Sequence, residues 1–150
     1  MSWSKGMTFA NIDHVKDAKE TYEKKKQILG HNSSNGGSPW ARMDKYGRWG
    51  GRVGENLSYG ASSGMNAVIQ LYIDDGVLSR GHRKNLTNPH FKVMGAAAGE
   101  LGHKWMSNIM TQNFAKTFNE SPENYPSTRR LIADETPGFA TENNVRRLPG

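Results

Sequence analysis

Residues 74–85 read DDGVLSRGHRKN and contain two carboxylates, one histidine and three cations. Two carboxylates end a helical pattern, and a histidine between glycine and arginine follows seven or eight residues later. A lone carboxylate, Glu55, stands in the stretch GENLSYG at 54–60, and His31 opens the turn-rich stretch HNSSNGGSP at 31–39. Histidines and carboxylates are the residue types of acid–base and metal chemistry. A compact domain could therefore bring together a set of His, Glu, Asp and His.

Three helices are predicted around these stretches. Apolar residues recur at three-to-four spacing over 7–29, and Gly30 ends that helix. A short helix is predicted over 40–46 and another over about 64–75. The apolar stripe of this last helix, which we expect to face the core, is Met65, Val68, Ile69 and Tyr72.

A hairpin is predicted after these helices. Four glycines within 47–54 predict a loop, and 79–89 also reads as a loop with at most one helical turn. Residues 91–98 and 104–115 form two strand-like runs around a glycine-containing turn. Helices before a hairpin predict an α+β domain with a small antiparallel sheet.

Composition predicts one domain with a tail. The 150 residues include no cysteine, which excludes a disulfide scaffold and a thiol enzyme. The net charge of +6 lies entirely within 1–115, the predicted domain. Residues 116–150 are neutral and contain four prolines, so they are predicted to form an extended tail. A basic domain favours an acidic partner.

Three motifs in a fixed order, GENLSYG at 54–60, the run over 74–91 and TQNFA at 111–115, resemble the CAP superfamily. This is the cysteine-rich secretory, antigen 5 and pathogenesis-related group, also called SCP-like. The sequence is more similar to its bacterial and protist members than to the disulfide-rich animal ones. The resemblance extends from about residue 3 to residue 115.

The resemblance implies an α-β-α sandwich with a cleft where two histidines and two acids meet. It places His31 as the first histidine, Glu55 as the first acid and His82 as the second histidine. The second acid is Asp74 or Asp75, where aspartate replaces the usual glutamate. In some members the histidines hold a divalent metal, often zinc, so His31 and His82 are the candidate ligands. No cofactor is required.

The chain also departs from the resemblance. It begins near the middle of the family's first helix, so the N-terminal strand is expected to be missing and the domain shortened. No signal peptide and no cysteine occur. These absences predict an intracellular protein, with the cytoskeleton or a cilium as candidate locations. A secreted protein is the alternative if Met1 is not the true start.

The first functional hypothesis is a non-enzymatic structural or docking component of a larger assembly, on an acidic polymer such as a microtubule and its tubulin. Nucleic acid is not expected, because no nucleic-acid-binding signature occurs, and no transmembrane segment is expected. The predicted docking residues are Arg80, Arg83, Lys84, Phe118, Tyr125, Arg129, Arg130, Arg146 and Arg147.

The alternative is a lipid- or sterol-binding, or weakly hydrolytic, CAP protein that uses the His, Glu, Asp, His cleft. Neither Ser58 nor Ser79 has the context of a nucleophile elbow, so we predict that the protein is not an enzyme. The remaining histidines are interpreted as surface or satisfied residues, and three tryptophans as core aromatics. These are His14, His90 and His103, and Trp40, Trp49 and Trp105.

Overall fold

The computed structural model describes residues 1–127 as a four-stranded sheet between two layers of helices. The sheet order is β1-β3-β4-β2, in which β1 is parallel to β3 and the other neighbours are antiparallel. The elements are β1 Ser2–Trp3, α1 Lys5–Lys25, α2 Pro39–Met43, β2 Gly47–Tyr59, α3 Gly64–Ile73, α4 Gly81–Thr87, β3 Val93–Glu100, β4 Asn108–Glu120 and a 3-10 turn Pro122–Asn124.

Helices cover both faces of the sheet, and β4 shows how. Ile109 packs in a cluster with Val15 of α1, whereas its neighbour Met110 packs with Ala67 and Leu71 of α3. Successive side chains of a strand point to opposite faces, so α1 and α3 lie on opposite sides. The predicted α-β-α sandwich and its antiparallel hairpin are therefore confirmed.

The glycine-rich segment 47–54 forms the first half of β2, and the prediction of a loop there is wrong. Its glycines allow close approach, because a Cβ at Gly47 would lie 2.5 Å from the Phe118 ring. Gly51 has φ +73° and lies at a register shift in the pairing with β4. These glycines therefore mark a tightly packed, bulged strand.

The first helix runs over 5–25, whereas the sequence predicted 7–29. Ser4 caps its N-terminus, and Glu120 accepts hydrogen bonds from the backbone amides of Lys5 (3.1 Å) and Gly6 (2.8 Å). A carboxylate is favourable at this end of the helix dipole. A short strand, β1, precedes the helix, where the sequence predicted none.

The folded region extends past residue 115, where the sequence placed the start of the tail. β4 continues to Glu120, and Phe118 and Tyr125 pack against the core cluster that contains Phe9. The ring centroid of Tyr125 lies 5.0 Å from that of Phe9. Phe118 and Tyr125, predicted to dock a partner, therefore have a packing role in the core. Four other predicted docking residues lie outside the described residues: Arg129, Arg130, Arg146 and Arg147.

The third helix presents the opposite face to the one predicted. Ala67 and Leu71 are buried, whereas the predicted core stripe is exposed. The small Ala67 allows the helix to pack closely on the sheet, and Leu71 fills the space next to it. The exposed side chains are Met65, Val68, Ile69 and Tyr72, joined by Ile73.

Two further differences concern α4 and the tryptophans. Residues 81–87, predicted as a loop with one helical turn, form a seven-residue helix. Trp40 and Trp49 pack at the edge of the core as predicted, but Trp105 is exposed on the turn between β3 and β4.

Candidate functional site

Glu55 lies on the edge strand β2 with its carboxylate buried and fully bonded. Its Oε1 accepts from His31 Nδ1 at 2.8 Å. Its Oε2 accepts from Arg42 Nη2 at 2.6 Å and from Asn113 Nδ2 at 3.0 Å. Asn113 is the register partner of Glu55 on β4, so the sheet itself provides that contact. Together the three donors fix the orientation of the carboxylate. Of the three, His31 is exposed to solvent, whereas Arg42 and Asn113 are buried.

Arg42 neutralises Glu55 and was not singled out by the sequence analysis. Ser38 and Pro39 begin the short helix α2, which carries Arg42 into the interior. Its Nη1 donates to the carbonyl of His31 at 2.9 Å and to Ser33 Oγ at 3.1 Å. Arginine suits this position because its planar group bonds several oxygens at once. A buried carboxylate needs such a cation, and that need is the only signal that could have pointed to Arg42.

The loop that carries His31 is held at three further points. His14 Nε2 donates to the Gly30 carbonyl at 2.9 Å, and Tyr59 Oη donates to the Leu29 carbonyl at 2.5 Å. Asp17 accepts from the Ser34 amide at 2.8 Å. The loop is thus fixed although it contains no regular secondary structure.

His14 is a buried histidine, and one of its nitrogens has a partner while Nδ1 has none. Burial and the nearby Arg42 cation lower the pKa of His14, although Glu55 and Asp17 act in the opposite direction. The imidazole is therefore neutral at pH 7. His14 is not a surface residue, and only one of its two ring nitrogens is hydrogen-bonded.

The second pair, Asp74 and His82, is built within one short segment. Asp74 ends α3 in the left-handed conformation, with φ 55°. Its Oδ1 accepts from His82 Nδ1 at 2.7 Å, and its Oδ2 accepts from the amides of His82 (2.9 Å) and Arg83 (3.2 Å). Burial opposes ionisation, but these hydrogen bonds outweigh it, so the pKa of Asp74 lies below its usual value of 3.8. The shorter aspartate reaches its histidine because α4 begins directly beside it.

Asp75 does not belong to this pair. Its side chain is exposed, and its carboxylate lies 3.8 Å from Arg80 and bonds the next backbone amide. Of the two candidate acids, Asp74 is therefore the one that contacts His82.

Arg80 and Arg83, predicted to dock a partner, bind the C-terminal carbonyls of α3. Arg83 Nε donates to the Tyr72 carbonyl at 2.6 Å, and Arg80 Nη1 donates to the Ile73 carbonyl at 3.3 Å. Arg80 also bonds the Asp74 carbonyl, and Arg83 bonds that of Ile73. Both guanidinium groups therefore close the end of this helix. Lys84 remains exposed.

The two pairs meet at adjacent residues of β2. Glu55 holds His31, and Asn56 Nδ2 donates to the carbonyl of His82 at 3.2 Å. Asn85 on α4 bridges the two, because its Nδ2 donates to the Glu55 carbonyl (3.3 Å) and to Asn56 Oδ1 (2.9 Å). Both histidines are thus tied to the same point of the edge strand, and Asn56 and Asn85 are further residues that sequence reasoning missed.

Each imidazole uses Nδ1 to bond its carboxylate and leaves Nε2 without a partner within residues 1–127. The side chains are 53% exposed for His31 and 28% exposed for His82. A carboxylate on one nitrogen orients the ring and increases the basicity of the other nitrogen, as in many zinc sites. Each of the two histidines therefore has the ring orientation and the unbonded nitrogen of a zinc-binding histidine.

Among the residues that the structure describes, 1–127, the two histidines are the only candidate protein ligands for a metal ion at this site. Within residues 1–127 no group of three or more His, Cys, Asp or Glu side chains is placed to hold a metal ion. In the same region no serine or threonine hydroxyl bonds either imidazole. The arrangement can donate two nitrogen lone pairs to a ligand or ion, and the described part of the chain shows no nucleophile beside them.

Fold and site together define the class: an α-β-α sandwich domain with two histidine–carboxylate pairs at one sheet edge. The model of the family described as CAP, the cysteine-rich secretory protein family, matches residues 1–114, and the chain belongs to this family. The predicted resemblance is confirmed.

Known relatives support this assignment. The chain is similar to the uncharacterized protein YkwD of Bacillus subtilis (strain 168), with 33% identity over 88 residues, which is 59% of this chain and 32% of the relative. It is similar to the structure of an extracellular protein containing an SCP domain from Bacillus anthracis str. Ames, with 25% identity, TM-score 0.55, and coverage of 78% of this chain and 34% of that one. The chain thus spans about a third of the length of these two relatives.

A third comparison supports the fold alone. An outer surface protein of Borrelia burgdorferi has a TM-score of 0.56 at 15% identity, over 81% of this chain and 78% of that one. None of the helices within residues 1–127 is long and apolar enough to cross a membrane.

Proposed function

We propose that this CAP domain is a non-hydrolytic binding domain whose cleft offers the Nε2 atoms of His31 and His82 to a divalent transition-metal ion such as zinc. The observation that carries the proposal is the matched geometry of the two pairs, in which Nδ1 bonds a buried carboxylate at 2.8 Å and 2.7 Å. A hydrogen bond from one ring nitrogen to a carboxylate is typical of histidines that bind a metal through the other nitrogen.

A site with two protein ligands binds an exchangeable ion, because water or a bound ligand must complete the tetrahedral coordination of zinc. Both imidazole side chains are partly exposed to solvent, so water or a ligand can reach them. The ion would hold the ligand in place and supply positive charge to it. This role needs no protein nucleophile, in agreement with the prediction that the protein is not an enzyme.

The test is a zinc titration of the chain by calorimetry, in a buffer that does not chelate metals. We expect one site, with His31→Ala and His82→Ala each lowering the affinity at least about tenfold. His90→Ala is the matched control, because His90 is exposed and its only hydrogen bond within residues 1–127 is from its backbone amide to Asn88. Absence of a zinc site in the wild-type chain, or equal affinity of all three variants, would overturn the proposal.

The assembly role on an acidic polymer remains a prediction, supported by the net charge of +6. Its sharpest test is co-sedimentation with microtubules of the full chain and of Lys84→Glu. Pelleting that is lost in this variant would support it, and absence of the wild-type chain from the pellet would exclude it.

The location also remains a proposal. The similar structure from Bacillus anthracis is described as an extracellular protein. That description favours the secreted alternative over the predicted intracellular location.

A further inference from the structure

The outward face of α3 is an apolar surface with no covering element within residues 1–127. The helix contains no charged residue over its ten positions. Met65 is 71% exposed and Tyr72 is 54% exposed. We call this face the α3 stripe, and its side chains follow one another at helical spacing: Met65, Val68, Ile69, Tyr72 and Ile73.

The exposed apolar side chains of the stripe are contiguous, whereas exposed apolar residues on a protein surface are usually isolated. Its members recur at i, i+3, i+4, i+7 and i+8, so they form one continuous face of the helix. The turn after the helix adds Leu78, whose side chain is fully exposed. A contiguous apolar patch of this kind marks an interaction surface.

Cations border the C-terminal end of the stripe. The Arg83 guanidinium lies 5.8 Å from the centroid of the Tyr72 ring, so it is in contact with a member of the stripe. Arg80 and Lys84 lie on the same short segment. Asp75 is the exposed acid beside them, whereas Asp74 is buried against His82. The segment from Asp75 to Lys84 thus carries three cations and one exposed carboxylate, which lies 3.8 Å from Arg80.

A second copy of the chain is a poor occupant for this surface. A ten-residue helix is about 15 Å long, and one of its faces provides far less than the roughly 800 Å² per partner of a stable interface.

We propose that the α3 stripe and its bordering cations dock the domain on the surface of an anionic lipid bilayer. The apolar side chains would enter the boundary between headgroups and acyl chains. Lys84 would bind an anionic headgroup, and the positive charge of Arg80 and Arg83 at the end of α3 would attract the headgroups. This combination of an apolar helix face with basic residues is the one that interfacial helices use. The proposal concerns a bilayer surface and is independent of the histidine cleft.

The test is flotation of the full chain with vesicles of phosphatidylcholine that contain about one third phosphatidylserine. We expect binding at low salt, weaker binding at high salt and little binding to pure phosphatidylcholine. The double variant Met65→Ser/Ile69→Ser should bind at least about tenfold more weakly, because two inserted side chains are lost. Lys84→Gln should weaken binding about fivefold.

Trp3→Ser is the matched control, since Trp3 is an equally exposed apolar residue on β1, the sheet edge opposite β2. It should bind vesicles as the wild type does. Absence of wild-type flotation, or equal flotation of the double variant and the Trp3 variant, would overturn the proposal. A concentration-dependent dimer that the double variant loses, without vesicle binding, would identify a second copy as the occupant instead.

Discussion

The two histidine–carboxylate pairs have nearly the same hydrogen-bond length, yet they are stabilised in different ways. Glu55 is neutralised by a buried cation, Arg42, that comes from another element. Asp74 receives two backbone amides at the start of α4 in addition to its histidine. The first pair therefore depends on a buried ion pair, whereas the second depends on local backbone geometry.

This difference predicts unequal responses to substitution. Removing one partner of a buried ion pair leaves the other charge uncompensated in the interior. Removing charge from an acid that is held by backbone amides costs less, because a neutral oxygen still accepts part of those hydrogen bonds. The predictions below compare the two pairs.

The largest effect is expected for Arg42→Met. Glu55 would lose its buried cation, so the free energy of unfolding should fall by about 3–5 kcal/mol, measured by urea denaturation. Arg48→Met is the control, because Arg48 forms only an exposed contact with Asp44 at 3.8 Å. Equal losses in the two variants would mean that Glu55 does not depend on Arg42.

Asp74→Asn should have a smaller effect on stability. Asparagine tolerates the left-handed backbone at this position but cannot hold His82 with a full negative charge, so we expect a loss of about 1–3 kcal/mol. Asp75→Asn, one residue along and exposed, should change stability by no more than about 0.5 kcal/mol. Thermal unfolding of both variants checks the assignment of Asp74 as the second acid, which equal melting temperatures would contradict.

Stability should fall in acid through His14, whose imidazole bonds the Gly30 carbonyl in the loop that carries His31 of the first pair. The pKa of His14 is lowered in the folded state, so its contribution is present above pH 6.5 and is lost as the pH falls below that value. The slope is at most about 1.4 kcal/mol per pH unit. Arg42, Glu55 and Asp17 are the charged groups that act on it.

Urea denaturation of the wild type and of His14→Gln between about pH 5 and 7 measures this effect. The variant should lack the histidine-dependent part of the slope, and a slope equal to that of the wild type would contradict the account. Asp74 acts in a separate window, because its lowered pKa makes its contribution present above pH 3.8 and lost only below that value.

The smallest effect is expected for Asn85→Ala, which removes the bridge between the two pairs. Its side-chain bonds to Glu55 and Asn56 are replaceable by water, so the cost should be about 0.5–1.5 kcal/mol. The zinc affinity should fall as well, because the orientation of one imidazole relative to the other is loosened. Unchanged zinc affinity would show that the pairs act independently.

The same difference decided what the sequence could predict. Asp74 and His82 are eight residues apart, so one motif contained the whole pair. Glu55 lies 24 residues from His31 and 13 from Arg42, and no local pattern indicates that a charged side chain of α2 enters the core. The motifs identified the histidines and the acids. The cation that neutralises the buried Glu55 carboxylate, Arg42, could be identified only from the structure.

Packing explains the other differences. The glycines of 47–54 indicated a loop, because a sequence does not show that a Phe118 ring will press on Gly47. The apolar positions of α3 indicated a core face, but the small Ala67 determined which side meets the sheet. Large apolar side chains then remained outside, which periodicity alone cannot reveal.

The central claim is that both imidazoles bond a carboxylate through Nδ1 and offer Nε2 to a ligand. Long-range nitrogen–proton NMR of the histidine rings at pH 8, before and after addition of zinc, tests it most directly. We predict that His31 and His82 keep a proton on Nδ1, and that zinc shifts both of their Nε2 resonances but not that of His90. A proton on Nε2 in place of Nδ1, or Nε2 resonances that do not respond to zinc, would contradict the account.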